Sequence, residues 1–160
     1  MPFIRRGTVL TVLGSIAGVL ACSLVAAKCI RPVPVESPDR LLVRGAVTTP
    51  KVAYILQRAC QDCHSNSTHW PWYARMAPVS WMVISDVEKG RKFLNLSLWD
   101  HYTKGQRLGF LSSISGAAKN RAMPPRGYAF LHPEARLSEG ERLELAGWAK
   151  DERRRMRAAR

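Results

Sequence analysis

The chain has 160 residues, 46% of them apolar and 23% charged, which suits one folded domain with a short extension and excludes a disordered tail. Its 25 basic residues against 12 acidic ones leave a net charge of +13. Five of the basic residues (Arg5, Arg6, Lys28, Arg31, Arg40) flank an apolar run and five (Arg153, Arg154, Arg155, Arg157, Arg160) crowd the last eight positions. The others are scattered among acidic residues, so the charge reads as membrane orientation and a solvated basic surface, with no nucleic-acid partner.

Gly7 to Ala27 is an uncharged stretch of 21 residues, and a helix of that length spans about 30 Å, the hydrocarbon thickness of a bilayer. Arg5 and Arg6 before it keep the amino terminus on the cytoplasmic side and send the remainder outward, although Lys28 and Arg31 weaken the asymmetry. Three fates are open: a retained transmembrane anchor, a secretory signal cleaved near Val25-Ala26-Ala27, or a lipoprotein signal in which Cys22 carries the lipid. Each places the rest of the chain in the cell envelope, outside the cytoplasm. Gly14 and Gly18 form a G-x-x-x-G pair, a weak sign of helix pairing. Residues 1–30 are therefore expected to be an anchor or signal. Residues 31–47, with Pro32, Pro34 and Pro38, form an extended linker.

From position 48 to 152 the punctuation predicts one all-α domain. Thr49 caps a helix with Pro50 at its first position, and Val52, Ile55, Leu56 and Ala59 share its buried face. This helix is expected to run straight into Cys60-Gln61-Asp62-Cys63-His64. Two thiols separated by two residues, followed at once by a histidine, form the attachment pattern of c-type haem: each thiol can add to a vinyl group, and His64 then lies under the iron. The thioredoxin reading of Cys-x-x-Cys needs a strand before the motif and a βαβ setting, and neither is legible. A structural zinc site needs four ligands, and no second pair exists.

A second helix is expected from Pro78 to just before Gly90, with Val83, Ile84 and Val87 inward. A third covers Gln106 to Ser115, where Leu108 and Leu111, and Phe110 and Ile114, recur at helical spacing. Ala122-Met123-Pro124-Pro125 then forms a stiff, non-helical segment that can hold a thioether at a fixed place, so Met123 is the candidate second iron ligand. Met76, Met82 and Met156 lack the proline context, and His69, His101 and His132 are the rivals. Ser138-Glu139-Gly140-Glu141 is a capping box opening a last helix with Leu145, Trp148 and Ala149 inward. Residues 153–160 are a basic tail. Trp70, Trp72, Tyr73, Trp81 and Trp99 suit a large flat guest or a tight loop core, and Arg75, Arg91 and Asn95 are candidates for propionate contacts.

The order of helix, C-x-x-C-H, intermediate helices, Met-Pro-Pro loop and terminal helix bearing Trp148 resembles class I cytochromes c over about residues 48–152. More closely, Cys60–Asn66, Trp70-Pro71-Trp72-Tyr73, Ala77–Trp81, Gly90-Arg91, Leu94–Trp99, Met123-Pro124-Pro125, Tyr128, His132 and Leu137-Ser138 are similar to the haem-binding domain family of exported bacterial proteins. Ala74 and Leu98 depart from that pattern, where a small polar and an acidic residue are expected. The resemblance implies a cytochrome c-like helical fold around one covalent haem c, bound by Cys60, Cys63, His64 and Met123, with His64 and Met123 on the iron. The expected function is one-electron transfer rather than catalysis. The expected partners are a redox protein with an acidic docking surface and, through the amino-terminal segment, the membrane. A haem-based sensor, or an accessory haem module of a membrane enzyme with a labile sixth ligand, is the alternative. A peroxidase is a weaker third reading.

Overall fold

A computed structural model describes residues 14–23, 25 and 42–159. Among them every regular element is helical and no strand occurs, in agreement with the all-α expectation. The described residues divide into two compact units, one of residues 42–70 with 85–159 and one of residues 14–23 and 25 with 71–84.

In the smaller unit, residues 14–23 and 25 are helical (α1) and solvent-exposed. Among the described residues no helix is long and apolar enough to cross a membrane. Arg5, Arg6, Lys28, Arg31 and most of the proline linker lie outside the described residues, as do the first residues of the expected anchor. A 3-10 turn follows at Trp72–Arg75, with the Trp72 and Tyr73 rings edge-on at 5.8 Å.

α4, Val79–Phe93, begins in the smaller unit and finishes in the larger one. It does not stop before Gly90, as its sequence suggests. The ladder continues through that glycine, with Leu94 N–H donating to the Gly90 carbonyl at 2.9 Å.

The larger unit holds the core. α2, Pro50–Ala59, starts where the Thr49 hydroxyl accepts from Val52 N–H at 3.2 Å, and it buries Val52, Ile55, Leu56 and Ala59 as their spacing requires. As expected, it leads directly into the cysteine motif, its last residue Ala59 preceding Cys60. Cys60 takes φ −125° and ψ −31°, which breaks the axis, and a one-turn helix α3, Gln61–His64, restarts beyond it. Asn95 then caps a 3-10 segment, Leu96–His101.

α5, Lys104–Lys119, is longer than its apolar pattern suggests, because a Thr103–Gln106 capping box starts the helix at Lys104, two residues before the expected Gln106. A short helix not visible in the sequence pattern, α6, Arg126–Leu131, follows the Met-Pro-Pro segment. α7, Glu139–Ala158, opens on the expected Ser138–Glu141 capping box and packs along α5. It continues through the arginine-rich end: Met156 is buried, and buried Glu152 receives both Arg155 Nε and Nη2 at 2.6 Å. Leu111 and Ala118 of α5, Leu145, Ala146 and Ala149 of α7, the α2 face, Leu96 and Trp99 form one core. The indole N–H of Trp148 reaches the Val47 carbonyl at 2.8 Å and ties the incoming chain to α7.

Candidate functional site

The α2–α3 break sets the geometry of the cysteine motif. Cys60 N–H still closes the last turn of α2 onto Leu56 O at 3.1 Å, while His64 N–H bonds Cys60 O at 2.9 Å. Both thiols and the imidazole therefore come from one tight turn at the end of a core helix. Cys60 and Cys63 are free thiols. Burial, then the neighbouring Cys63, pushes the Cys60 thiol up to about 12. Burial, then Asp62 and Asp86, pushes Cys63 up to about 11, with Arg91 acting against them.

His64 Nδ1 lies 3.0 Å from the Leu94 carbonyl oxygen. A carbonyl only accepts, so the proton sits on Nδ1 and the lone pair on Nε2, the tautomer a metal-binding histidine needs. Leu94 is itself held by a polar cluster around Asn95. Asn95 N–H donates to the Tyr102 hydroxyl at 3.0 Å, Asn95 Nδ2 to Asn66 Oδ1 at 2.7 Å, and Ser97 N–H to Asn95 Oδ1 at 3.0 Å.

Arg91 and Asn95, candidates for propionate contacts, also donate to the loop after the motif. Arg91 Nε reaches Ser65 O at 2.7 Å and Nη2 reaches Thr68 Oγ1 at 2.8 Å. Trp70 Nε1 and Trp99 Nε1 are buried donors with no hydrogen-bond partner among the described residues.

Met123 lies in the turn between α5 and α6, 43% exposed, with its carbonyl accepting from Arg142 Nη1 at 3.2 Å. Among the rival histidines, His69 Nδ1 contacts Asp62 Oδ1 at 3.2 Å, His101 contacts Asp100 at 3.7 Å, and His132 Nδ1 contacts Glu134 at 2.9 Å. Trp72, Tyr73, Arg75, Met76, Trp81 and Met82 belong to the smaller unit. Among the described residues no three His, Cys, Asp or Glu side chains converge to hold a metal ion by themselves.

Sequence reasoning missed three contacts of this turn: His64 with the Leu94 carbonyl, Gly90 packed against the Cys63 backbone, and the Asp62 carboxylate accepting from the Tyr128 hydroxyl. Only Gly90 carries a signal, a glycine inside an apolar helical pattern, which taken locally reads as a helix end. The residues present suit a haem: two unpaired thiols and an imidazole with Nε2 available share one turn.

The residue pattern from position 24 to 151 matches the haem-binding domain family. The chain belongs to the haem-binding domain family. This haem-binding protein is also 26% identical over 108 residues to cytochrome c peroxidase Ccp of Escherichia coli (strain K12), a stretch covering 64% of the chain and 23% of that relative. The chain thus spans about a quarter of the length of the curated relative it matches. No solved structure matches it.

Proposed function

We propose that this haem-binding domain holds a single haem c, joined through thioethers to Cys60 and Cys63, with His64 and Met123 as the residues that would bind its iron, and carries single electrons at the bacterial cell envelope. The observation that carries the reading is the His64 Nδ1 contact with the Leu94 carbonyl, in the same turn as two free thiols. When bound, the haem supplies a one-electron ferric–ferrous couple.

The chain's own residues do the rest. Cys60 and Cys63 would hold the group as thioethers, each S–H adding across a vinyl double bond with its hydrogen on the other carbon, so that no oxidant would be consumed. Leu94 O orients the imidazole. Met123 contributes a soft sulfur, which favours the reduced state and raises the potential. Its neighbours Pro124 and Pro125 stiffen the segment that presents it. The amino-terminal apolar segment tethers the domain or directs its export. The basic surface quickens encounter with an acidic redox partner more than it tightens the complex.

The likeness to a cytochrome c peroxidase favours one second reading, a haem module of an enzyme or sensor in which Met123 leaves the iron and a small ligand binds. Carbon monoxide separates the two. Slow, incomplete binding to the reduced protein supports a closed electron carrier, and rapid complete binding supports the alternative. Covalent attachment is tested by expression with haem-attachment machinery: denatured protein should keep its haem stain and gain the mass of one haem. Replacing both Cys60 and Cys63 with alanine should abolish both signals, and covalent haem persisting in that variant sinks the proposal.

A further inference from the structure

Asp62, one of the two residues between the cysteines, is held on both sides. Its Oδ1 accepts from His69 N–H at 3.0 Å and lies 3.2 Å from His69 Nδ1. Its Oδ2 accepts from the Tyr128 hydroxyl at 2.7 Å. Tyr128 stands in α6, five residues after Met123, so this one bond joins the turn bearing the cysteines to the segment bearing the methionine.

That segment has little freedom to absorb a change at Tyr128. Pro124 and Pro125 separate Met123 from α6, and their rings fix φ, leaving few soft torsions between the two. Pro124 is buried, and Arg142 holds the Met123 carbonyl from α7. The Tyr128 ring also stacks on His132, with centroids 4.3 Å apart and 15° between planes. Burial, then the bond to Asp62, pushes the Tyr128 hydroxyl far above its ordinary range, so it stays protonated and donates to the carboxylate at neutral pH.

We propose that Tyr128, through its hydrogen bond to Asp62, is a positioning residue that holds Met123 at the iron. The inference rests on His64 and Met123 being the axial ligands. Without the hydroxyl, α6 loses its tie to the attachment turn, and the thioether is displaced more readily by an outside ligand. The haem stays attached, because neither cysteine depends on Tyr128.

The test uses the full chain carrying its haem, with Tyr128→Phe, Asp62→Asn and the control Tyr54→Phe, whose ring is exposed on α2. Three quantities are read: the far-red band of thioether-bound ferric haem, imidazole affinity and reduction potential. Tyr128→Phe should keep covalent haem, weaken the band, lower the potential and bind imidazole about tenfold more tightly, equal to about 1.4 kcal/mol. Asp62→Asn should shift the same three readouts in the same direction, and serves if Tyr128→Phe does not fold. Tyr54→Phe should match the parent. A parent-like band and imidazole affinity in the Tyr128 variant overturn the proposal. If the unsubstituted protein has no far-red band and Met123→Ala matches it, the axial assignment has failed and the proposal falls with it. That failure is visible without any change at Tyr128.

Discussion

Gly90 of α4 lies against the backbone of Cys63: a Cβ placed on Gly90 would sit 3.0 Å from the Cys63 carbonyl carbon, 3.2 Å from its Cβ and closer still to its carbonyl oxygen. The opposing atoms are mostly backbone, so no rotamer change relieves the collision. Glycine at position 90 is what lets α4 pass the attachment turn. Gly90→Ala should therefore destabilise the protein by about 1–3 kcal/mol, as overpacking does. Gly109, in open space on α5, is the contrast, because alanine there should stabilise by about 0.5–1 kcal/mol through helix propensity. Urea midpoints moving in opposite directions would bear this out; two shifts of the same sign would not.

The thiols supply a pH prediction for the haem-free chain. Burial raises Cys60 to about 12 and Cys63 to about 11, above the ordinary thiol value of 9.0. A thiol whose folded pKa is raised contributes stability below the unfolded value, and that contribution is lost as pH rises through the folded value. The folded haem-free protein should thus lose stability between about pH 9 and 12. At pH 8 Cys60 and Cys63 should alkylate at least about a hundredfold more slowly than in urea, since the thiolate is the reactive form. Mass spectrometry of iodoacetamide-quenched samples reads this directly, and equal rates in both states would contradict it.

Glu141 gives the acid limb. The Ser138 backbone N–H bonds its carboxylate at 2.8 Å, and that bond, with help from Arg58, holds Glu141 below the usual carboxylate range. A depressed carboxyl contributes stability above its unfolded pKa and loses it as pH falls through the folded one. Glu141→Gln should therefore narrow the stability difference between pH 7 and pH 3. Ser138→Ala, which removes the other half of the capping box, should cost about 1 kcal/mol at pH 7. Both are measured by denaturant titration, and an unchanged pH profile in the glutamine variant would remove Glu141 from the account.

Met123→Ala tests the axial proposal in the haem-bearing protein. Loss of the thioether should lower the reduction potential, abolish the far-red ferric band and open the iron to carbon monoxide and imidazole. Potentiometry and absorption spectra of the two proteins side by side measure this. Identical spectra would assign the sixth position to another residue, and His132, which already stacks on Tyr128, is the first to examine.

The helices were legible where apolar spacing and a cap agreed. Thr49 with Val52, Ile55, Leu56 and Ala59, and Ser138 with Glu141, Leu145, Trp148 and Ala149, were placed correctly because each signal is local. α6 was missed because Arg126–Leu131 has no buried residue, hence no apolar stripe to read. The start of α5 was missed because its capping pair, Thr103 and Gln106, precedes the first apolar residue by several positions. The arginine-rich end reads as a basic tail in the sequence, yet Met156 and the Glu152–Arg155 pair carry α7 through it.

By itself the sequence determined the all-α class, the two best-capped helices and the thiol, thiol, imidazole order of Cys60, Cys63 and His64, since capping, periodicity and ligand spacing act over a few residues. The tertiary structure alone decided which nitrogen of His64 is left available, why Gly90 is a glycine, and that Asp62 meets Tyr128. Those contacts join residues 27 to 66 positions apart. Nothing local to either partner encodes them, because they exist only once the core has brought α3, α4 and α6 together.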